Sequence, residues 1–464
     1  MMRTAYLGLT AALALTACTG TTEAPKTASS NTPGPSTAPE NPFPSTYTAY
    51  PGVPTVIKGA TILDGEGGKI ENGVVFLSGG KITAVGGPDT PIPADVTVFD
   101  GTSKYVTPGV IDIHSHLGDY PSPSVQALSD GNEATGPVTA DVWAEHSVWP
   151  QDPGFSRALA NGGVTALQIL PGSANLFGGR GVTLKNVYAR TQQGMKFPGA
   201  PYSLKMACGE NPKRVYGSKG RQPSTRMGNI AVDRQTWIKA REYQKKRAAN
   251  KEQTRDLSME TLADVLEGKI LVQNHCYRAD EMANVIDMSK EFGYKVTAFH
   301  HAVESYKIAD LLKANNICSA MWADWYGFKM ESYDGIRENI ALVQNAGACA
   351  IVHSDDENGI QRLNQEAGKA IAAGKRMGIN IPDEIAWEWL SYNPAKAMGI
   401  ADQTGSLKVG KMADVVLWNG NPFSIYTRPE RVWIDGALMY DANDPKRRPV
   451  SDFELGQIGA GDTK

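Results

Sequence analysis

The chain has 464 residues, of which 20% are charged, and a formal net charge of −3. That length can bury a large core and suits one large domain plus a smaller one. So balanced a charge offers no basic field to hold nucleic acid, which leaves a small molecule as the expected partner.

Met1-Met2-Arg3 precedes an apolar run from Ala5 to Ala17 that ends at Cys18. The run is too short to span a bilayer and reads as a signal peptide over residues 1–18. Leu15-Thr16-Ala17-Cys18 resembles the bacterial lipobox, in which the cysteine is lipidated and becomes the new N-terminus. Thr19, where an Asp would retain such a lipoprotein at the inner membrane, points to an outer-membrane anchor facing the periplasm. Residues 19–51 are dominated by Thr, Ser, Pro, Ala and Asn, too poor in apolar surface to fold, and read as a flexible tether.

Short strands and turns fill residues 52–107, among them 56–62, 73–78, 81–86 and 96–100. From Pro108 to residue 397 the texture changes to buried apolar strands separated by helical segments, the rhythm of an α/β fold built as a (β/α)8 TIM-type barrel. Candidate barrel strands are 110–113, 164–170, 202–208, 270–274, 295–299, 317–321 and 349–352. The charged stretch 231–267 is long enough for two solvated helices. Strand and turn texture returns over 398–445, so the two flanks are expected to build one small β-sandwich domain, with 446–464 as a tail. Cys208, Cys276, Cys318 and Cys349 lie in or beside separate apolar runs without a Cys-x-x-Cys pair, and buried free thiols are expected.

The strand Val106 to Leu117 carries His114 and His116 at spacing two. Alternate strand side chains share a face, so both imidazoles can grip one metal ion. Barrel enzymes hold their chemistry at strand C-termini, and there the chain also places Asn175, Glu210, His275, His300, His301 and Asp355, with His353 two residues before Asp355. Such a concentration of ligand-type residues points to a metal site.

These stretches resemble the amidohydrolase superfamily, in its extracytoplasmic branch similar to imidazolonepropionases and metal-dependent dipeptidases. The matching segments are Pro108 to His116, Leu170 to Asn175, Gly209 to Gly217, His275 to Asp280, His301 with Glu304 to Lys307, His353 to Asp356, and Gly405 to Asp414. The resemblance implies that His114, His116 and Asp355 hold one metal and that His275 and His301 hold a second, with His300 and His353 in supporting positions. Relatives bridge the two ions with a carboxylate or a carboxylated lysine. Lys205 and Glu210 are about 16 Å apart along an extended strand, so only one can serve, and Glu210 is the expected bridge.

By the same resemblance two divalent ions, zinc first and Mn, Fe or Co as alternatives, activate a shared water. Asp355 then relays its proton to a leaving nitrogen as an amide or cyclic amide C–N bond is hydrolysed. Arg180, Tyr216, Tyr277 and Arg278 are the candidate substrate contacts, suited to a dipeptide or N-acyl amino acid. Two rival functions fit the same residues: a heterocycle deaminase with Trp322, Trp325 and Tyr326 as a flat aromatic wall, and a non-catalytic binding lipoprotein with a structural metal. A homo-oligomer is compatible with either.

Overall fold

The computed structural model describes residues 41–250 and 252–447. The signal peptide, Cys18, most of the tether and nearly all of the tail therefore lie outside the described residues. The chain divides into two units, Met1–Phe43 and Pro44–Lys464. In the first, Asn41 Oδ1 accepts a hydrogen bond from the Phe43 amide at 3.0 Å.

Five strands open the second unit: β1 (Thr55–Leu63), β2 (Lys69–Ser78), β3 (Lys81–Gly86), β4 (Thr97–Asp100) and β5 (Tyr105–Pro108). Three more come from the other end of the sequence: β14 (Val415–Trp418), β15 (Pro429–Ile434) and β16 (Ala437–Asp441). They join as one hydrogen-bonded sheet in the order β16-β15-β14-β5-β1-β2-β3, with β4 also paired to β1. The two flanks thus assemble a single sheet. Its alternating aliphatic residues, including Ile57, Val75, Leu77, Val106, Val415 and Leu417, bury a core of their own.

Between the flanks a second eight-stranded sheet runs β6 (Val110–Ser115), β7 (Val164–Ile169), β8 (Phe177–Lys185), β9 (Ser203–Ala207), β10 (Leu271–Cys276), β11 (Val296–His301), β12 (Cys318–Met321) and β13 (Cys349–Val352), neighbouring in that order. The circle is closed from β13 to β6 by the Asp355 amide donating to the His114 carbonyl at 2.9 Å, and by Ser354, whose amide and hydroxyl both donate to Asp112. Gly109 turns the chain from the flank sheet into the barrel. A Cβ there would lie 2.0 Å from Thr165 Oγ1, so only glycine passes.

One strand departs from the parallel pattern. β8 runs antiparallel to both β7 and β9, joined to β7 by a hairpin instead of a crossover helix. It is also the barrel strand that apolar patterning does not reveal. Gly178, Gly179 and Gly181 lower its apparent strand propensity, although all nine of its residues are buried. The charged stretch does form two helices, Arg226–Ala249 and Leu257–Leu266. Among the described residues no helix is long and apolar enough to cross a membrane.

The expectation of free thiols is overturned. Cys208 is bonded to Cys276 and Cys318 to Cys349, with Cα atoms 5.2 and 4.5 Å apart. Cys318 and Cys349 are direct register partners on β12 and β13, while Cys208 follows β9 beside the end of β10. Adjacent strands bring Cα atoms within disulfide range, an adjacency that the linear sequence does not display.

The two sheets are tied by a buried ion cluster. The Lys185 ammonium, at the end of β8, lies 3.0 Å from Asp414 and 2.9 Å from Asp435, at the near ends of β14 and β15. Thr404 Oγ1 also donates to Asp414 at 2.7 Å.

Candidate metal centre

On β6 the odd positions Ile111 and Ile113 pack in an apolar cluster with Ala395, Ala397 and Met398. Alternation therefore turns Asp112, His114 and the following His116 to the opposite, interior face. There His114 Nε2 and His116 Nε2 each lie 3.1 Å from Asp355 Oδ1. The His116 Nδ1 atom is 2.8 Å from the Leu170 carbonyl, which fixes the tautomer and leaves Nε2 as the inward lone pair.

His114 is oriented by a relay. Its Nδ1 is 3.0 Å from His300 Nδ1, and His300 Nε2 is 2.8 Å from Gln273 Oε1. His300 thus supports a ligand from behind. His301, the next residue, faces the centre: its ring lies 5.0 Å from that of His114 and 4.5 Å from that of His275, centroid to centroid. His353 Nε2 reaches His301 Nδ1 at 3.0 Å. Two ligand groupings result, His114–His116–Asp355 and His114–His301–His353, each with its ligand atoms within 4.8 Å of one another.

The donor set suits a divalent ion. Burial, reinforced by the neighbouring Lys205 ammonium, holds His114 well below the ordinary imidazole range, and burial does the same for His275 and His301. His353 is pushed down to about 4 by burial. Neutral imidazoles present lone pairs at pH 7, as metal ligation requires. The buried Nδ1 atoms of His275 and His353 have no hydrogen-bond partner, which leaves ligand capacity unspent.

Backbone conformation is forced at the same points. His301, Ala302 and Asp355 have φ of 67°, 40° and 58°, costly for residues with a Cβ. The Ala302 amide donating to the Cys276 carbonyl and the Asp355 amide donating to the His114 carbonyl hold them there.

The sequence profile of the Amidohydrolase family matches residues 105–447. The chain belongs to the amidohydrolase family. A crystal structure of an amidohydrolase from Thermotoga maritima MSB8 is similar at 35% identity and a TM-score of 0.77, over 83% of this chain and all of that one. Amidohydrolase tasK of Hapsidospora irregularis is 30% identical over 84% of this chain, which spans only 43% of that relative's length. An imidazolonepropionase of Brucella anthropi is 23% identical, over 76% of this chain and 88% of that one.

Of the two residues weighed as a bridge, Lys205 is the one that lies beside the histidine cluster. Lys205 Nζ lies 3.1 Å from His114 Nε2 and donates to the Pro171 carbonyl at 2.9 Å. Glu210 stands beyond β9, after Gly209 turns the chain at φ 82° into the helix Glu210–Gly217. Its carboxylate is 3.8 Å from Lys329 Nζ at the rim. A lysine placed inside the strand reaches the axis through its long side chain, whereas an acid past the strand end is carried away.

The expected substrate contacts divide as well. Tyr277 is at the centre, its ring stacked 5.2 Å from His301 with Lys329 Nζ 3.8 Å from its own centroid. Arg180 points into the outer layer, where Nε donates to Thr261 Oγ1 at 2.8 Å and the guanidinium lies over Trp143. Tyr216 locks loops, its single hydroxyl proton shared between the Gly136 carbonyl at 2.6 Å and Asn175 Oδ1. Arg278 forms a surface pair with Asp280 at 2.9 Å. Arg180, Tyr216 and Arg278 are thus engaged in these contacts and not with the histidine cluster. Trp322 stacks on His301 at 4.3 Å and on Trp325 at 5.2 Å, forming an aromatic wall beside the ligands.

Proposed function

We propose that this amidohydrolase hydrolyses an amide or cyclic amide C–N bond of a small molecule, a dipeptide or N-acyl amino acid, at a two-metal centre. The observation that carries this reading is Asp355 Oδ1 at 3.1 Å from the inward nitrogens of both His114 and His116. His114, His116 and Asp355 would hold one ion, and His275 and His301 the second. Imidazole and carboxylate donors favour zinc, with Mn, Fe or Co as substitutes. When bound, the ions polarise the scissile carbonyl and bring a water towards a pKa of about 7.

Asp355 accepts the proton of the attacking water and returns it to the leaving nitrogen. Lys205 would help to hold the ions once its amine adds to CO2 with loss of one proton, a change that would make it a carbamate oxygen donor. Its contact with His114 supports that role. The aromatic wall of Trp322 and Trp325 favours a flat substrate and is the specific support for a second reading, heterocycle deamination. The two disulfides and the lipobox-like Cys18 support an oxidising, extracytoplasmic location with a lipid anchor.

The test is metal content together with turnover of dipeptides, N-acyl amino acids and cyclic ureides by the protein lacking residues 1–40. Two ions per chain, activity lost to a chelator and regained with Zn or Mn, and a fall of roughly 100-fold or more in kcat for Asp355→Asn with metal retained support the proposal. Ammonia release from a heterocycle alone would favour the deaminase. Two bound metals with no turnover of any amide would overturn hydrolysis.

A further inference from the structure

Away from the metal centre, a cavity of about 630 Å³ opens between the helix Arg226–Ala249 and the helix Ala279–Phe292. That is within the range of small-molecule sites. Three of its lining side chains present buried acceptor atoms with no hydrogen-bond partner: Asn229 Oδ1, Asp233 Oδ1 and Glu281 Oε2. These residues are only 3%, 4% and 6% exposed. Asn229 and Asp233, four apart, share one helix face. Buried acceptors without donors are costly and uncommon in folded proteins.

The remaining lining decides what kind of donor fits. Ile230, Val285 and Met288 supply apolar wall. Asp280, Asp287 and Glu291 add acids at the rim, against two bases, Arg226 and Arg234. Both bases are ion-paired: Arg226 Nε, buried and without a hydrogen bond of its own, is 3.0 Å from Glu281 Oε1 and its guanidinium also pairs with Glu331, while Arg234 is 2.7 Å from Glu291. The lining therefore leaves no cation for Asp233. Among the described residues the acids here do not form a group of three ligand atoms close enough to share a metal ion; such groups occur only in the barrel. The unmet acceptors call for several N–H donors on one positively charged atom attached to an apolar body.

We infer that this cavity is a binding site for a small primary alkylammonium, its head group donating to Asp233, Asn229 and Glu281 and its chain lying against Ile230, Val285 and Met288. The site is separate from the metal ligands, so occupancy does not require the reaction proposed above.

The experiment is calorimetric titration of the metal-loaded protein with n-butylamine and 1,4-diaminobutane, using n-butanol and Mg²⁺ as controls. One saturable amine site per chain is expected, weakened 10-fold or more by Asp233→Asn and by Asn229→Leu. Hydrolytic activity should be unchanged in Asp233→Asn, and amine binding should not compete with substrate. Nα-acetyl-lysine amide carries the same head group, and its affinity relative to n-butylamine tells a peptide side chain from a free amine. The inference is overturned if no saturable binding occurs, if both variants, folded by circular dichroism, bind as wild type does, or if n-butanol binds as tightly as the amine. Displacement of the amine by Mg²⁺ would overturn it in favour of a metal site. Loss of all turnover with amine binding intact would count against the hydrolase proposal alone.

Discussion

Lys205 and Asp233 are both buried ionisable groups, and their settings lead to opposite expectations. Lys205 has a carbonyl and an imidazole to address, and Lys205→Gln removes the amine while keeping much of the bulk. Metal content is expected to fall from two ions towards one and kcat by 100-fold or more, measured by elemental analysis and steady-state kinetics. Asp233 has no charge partner, and burial raises its pKa well above the carboxylate range. The folded state therefore keeps a proton that the unfolded chain releases near pH 4, so stability drains away as pH rises from about 4 towards the folded pKa. Asp233→Asn has no proton to lose. Its thermal midpoint, with no amine present, should exceed that of wild type by more at pH 8 than at pH 4.5; an equal difference at both would mean that a cation accompanies Asp233 in solution.

At the scale of elements, β8 carries most of what is hidden in the sequence. The His114–His116 strand, the fifth- and sixth-strand histidines and Asp355 after the last strand are legible because strand alternation and strand ends determine where such side chains go. The glycine-rich β8 is not legible, since burial by neighbours, rather than its own propensity, makes it a strand. Arg180 is hidden with it: what looks like a loop residue near the site lies within β8 and faces the outer helices. Lys205 comes to lie beside His114 while Glu210 starts the next helix, a placement that sequence distance does not reveal because it does not show where β9 stops. Lys185 at the end of β8 gives this element a further role as the link between barrel and flank sheet. Lys185→Met would strand Asp414 and Asp435 without their cation and is expected to cost about 3–5 kcal/mol, read from urea unfolding. A loss below about 1 kcal/mol would mean that the cluster is dispensable to the joint.

For the molecule as a whole, the disulfides join neighbouring strands at two places on the barrel wall, Cys276 immediately following His275. Replacing Cys318 and Cys349 together by Ala should lower unfolding free energy by about 2–4 kcal/mol, since their loop of 31 residues becomes free to expand in the unfolded state. Thermal unfolding with and without reductant checks it, and the double variant should be insensitive to reduction of that bond.

The hairpin turn from β7 to β8 has an evolutionary consequence. It grips His116 and Lys205 through the carbonyls of Leu170 and Pro171, atoms that every amino acid carries. Side-chain replacements that preserve the backbone leave those grips in place, so at the buried residues 170 and 171 a substitution scan would report lost packing and not a lost grip. Insertions and deletions, which move the backbone itself, would be the changes that selection removes. For these two contacts the turn is thus constrained as a length and a shape more than as a spelling.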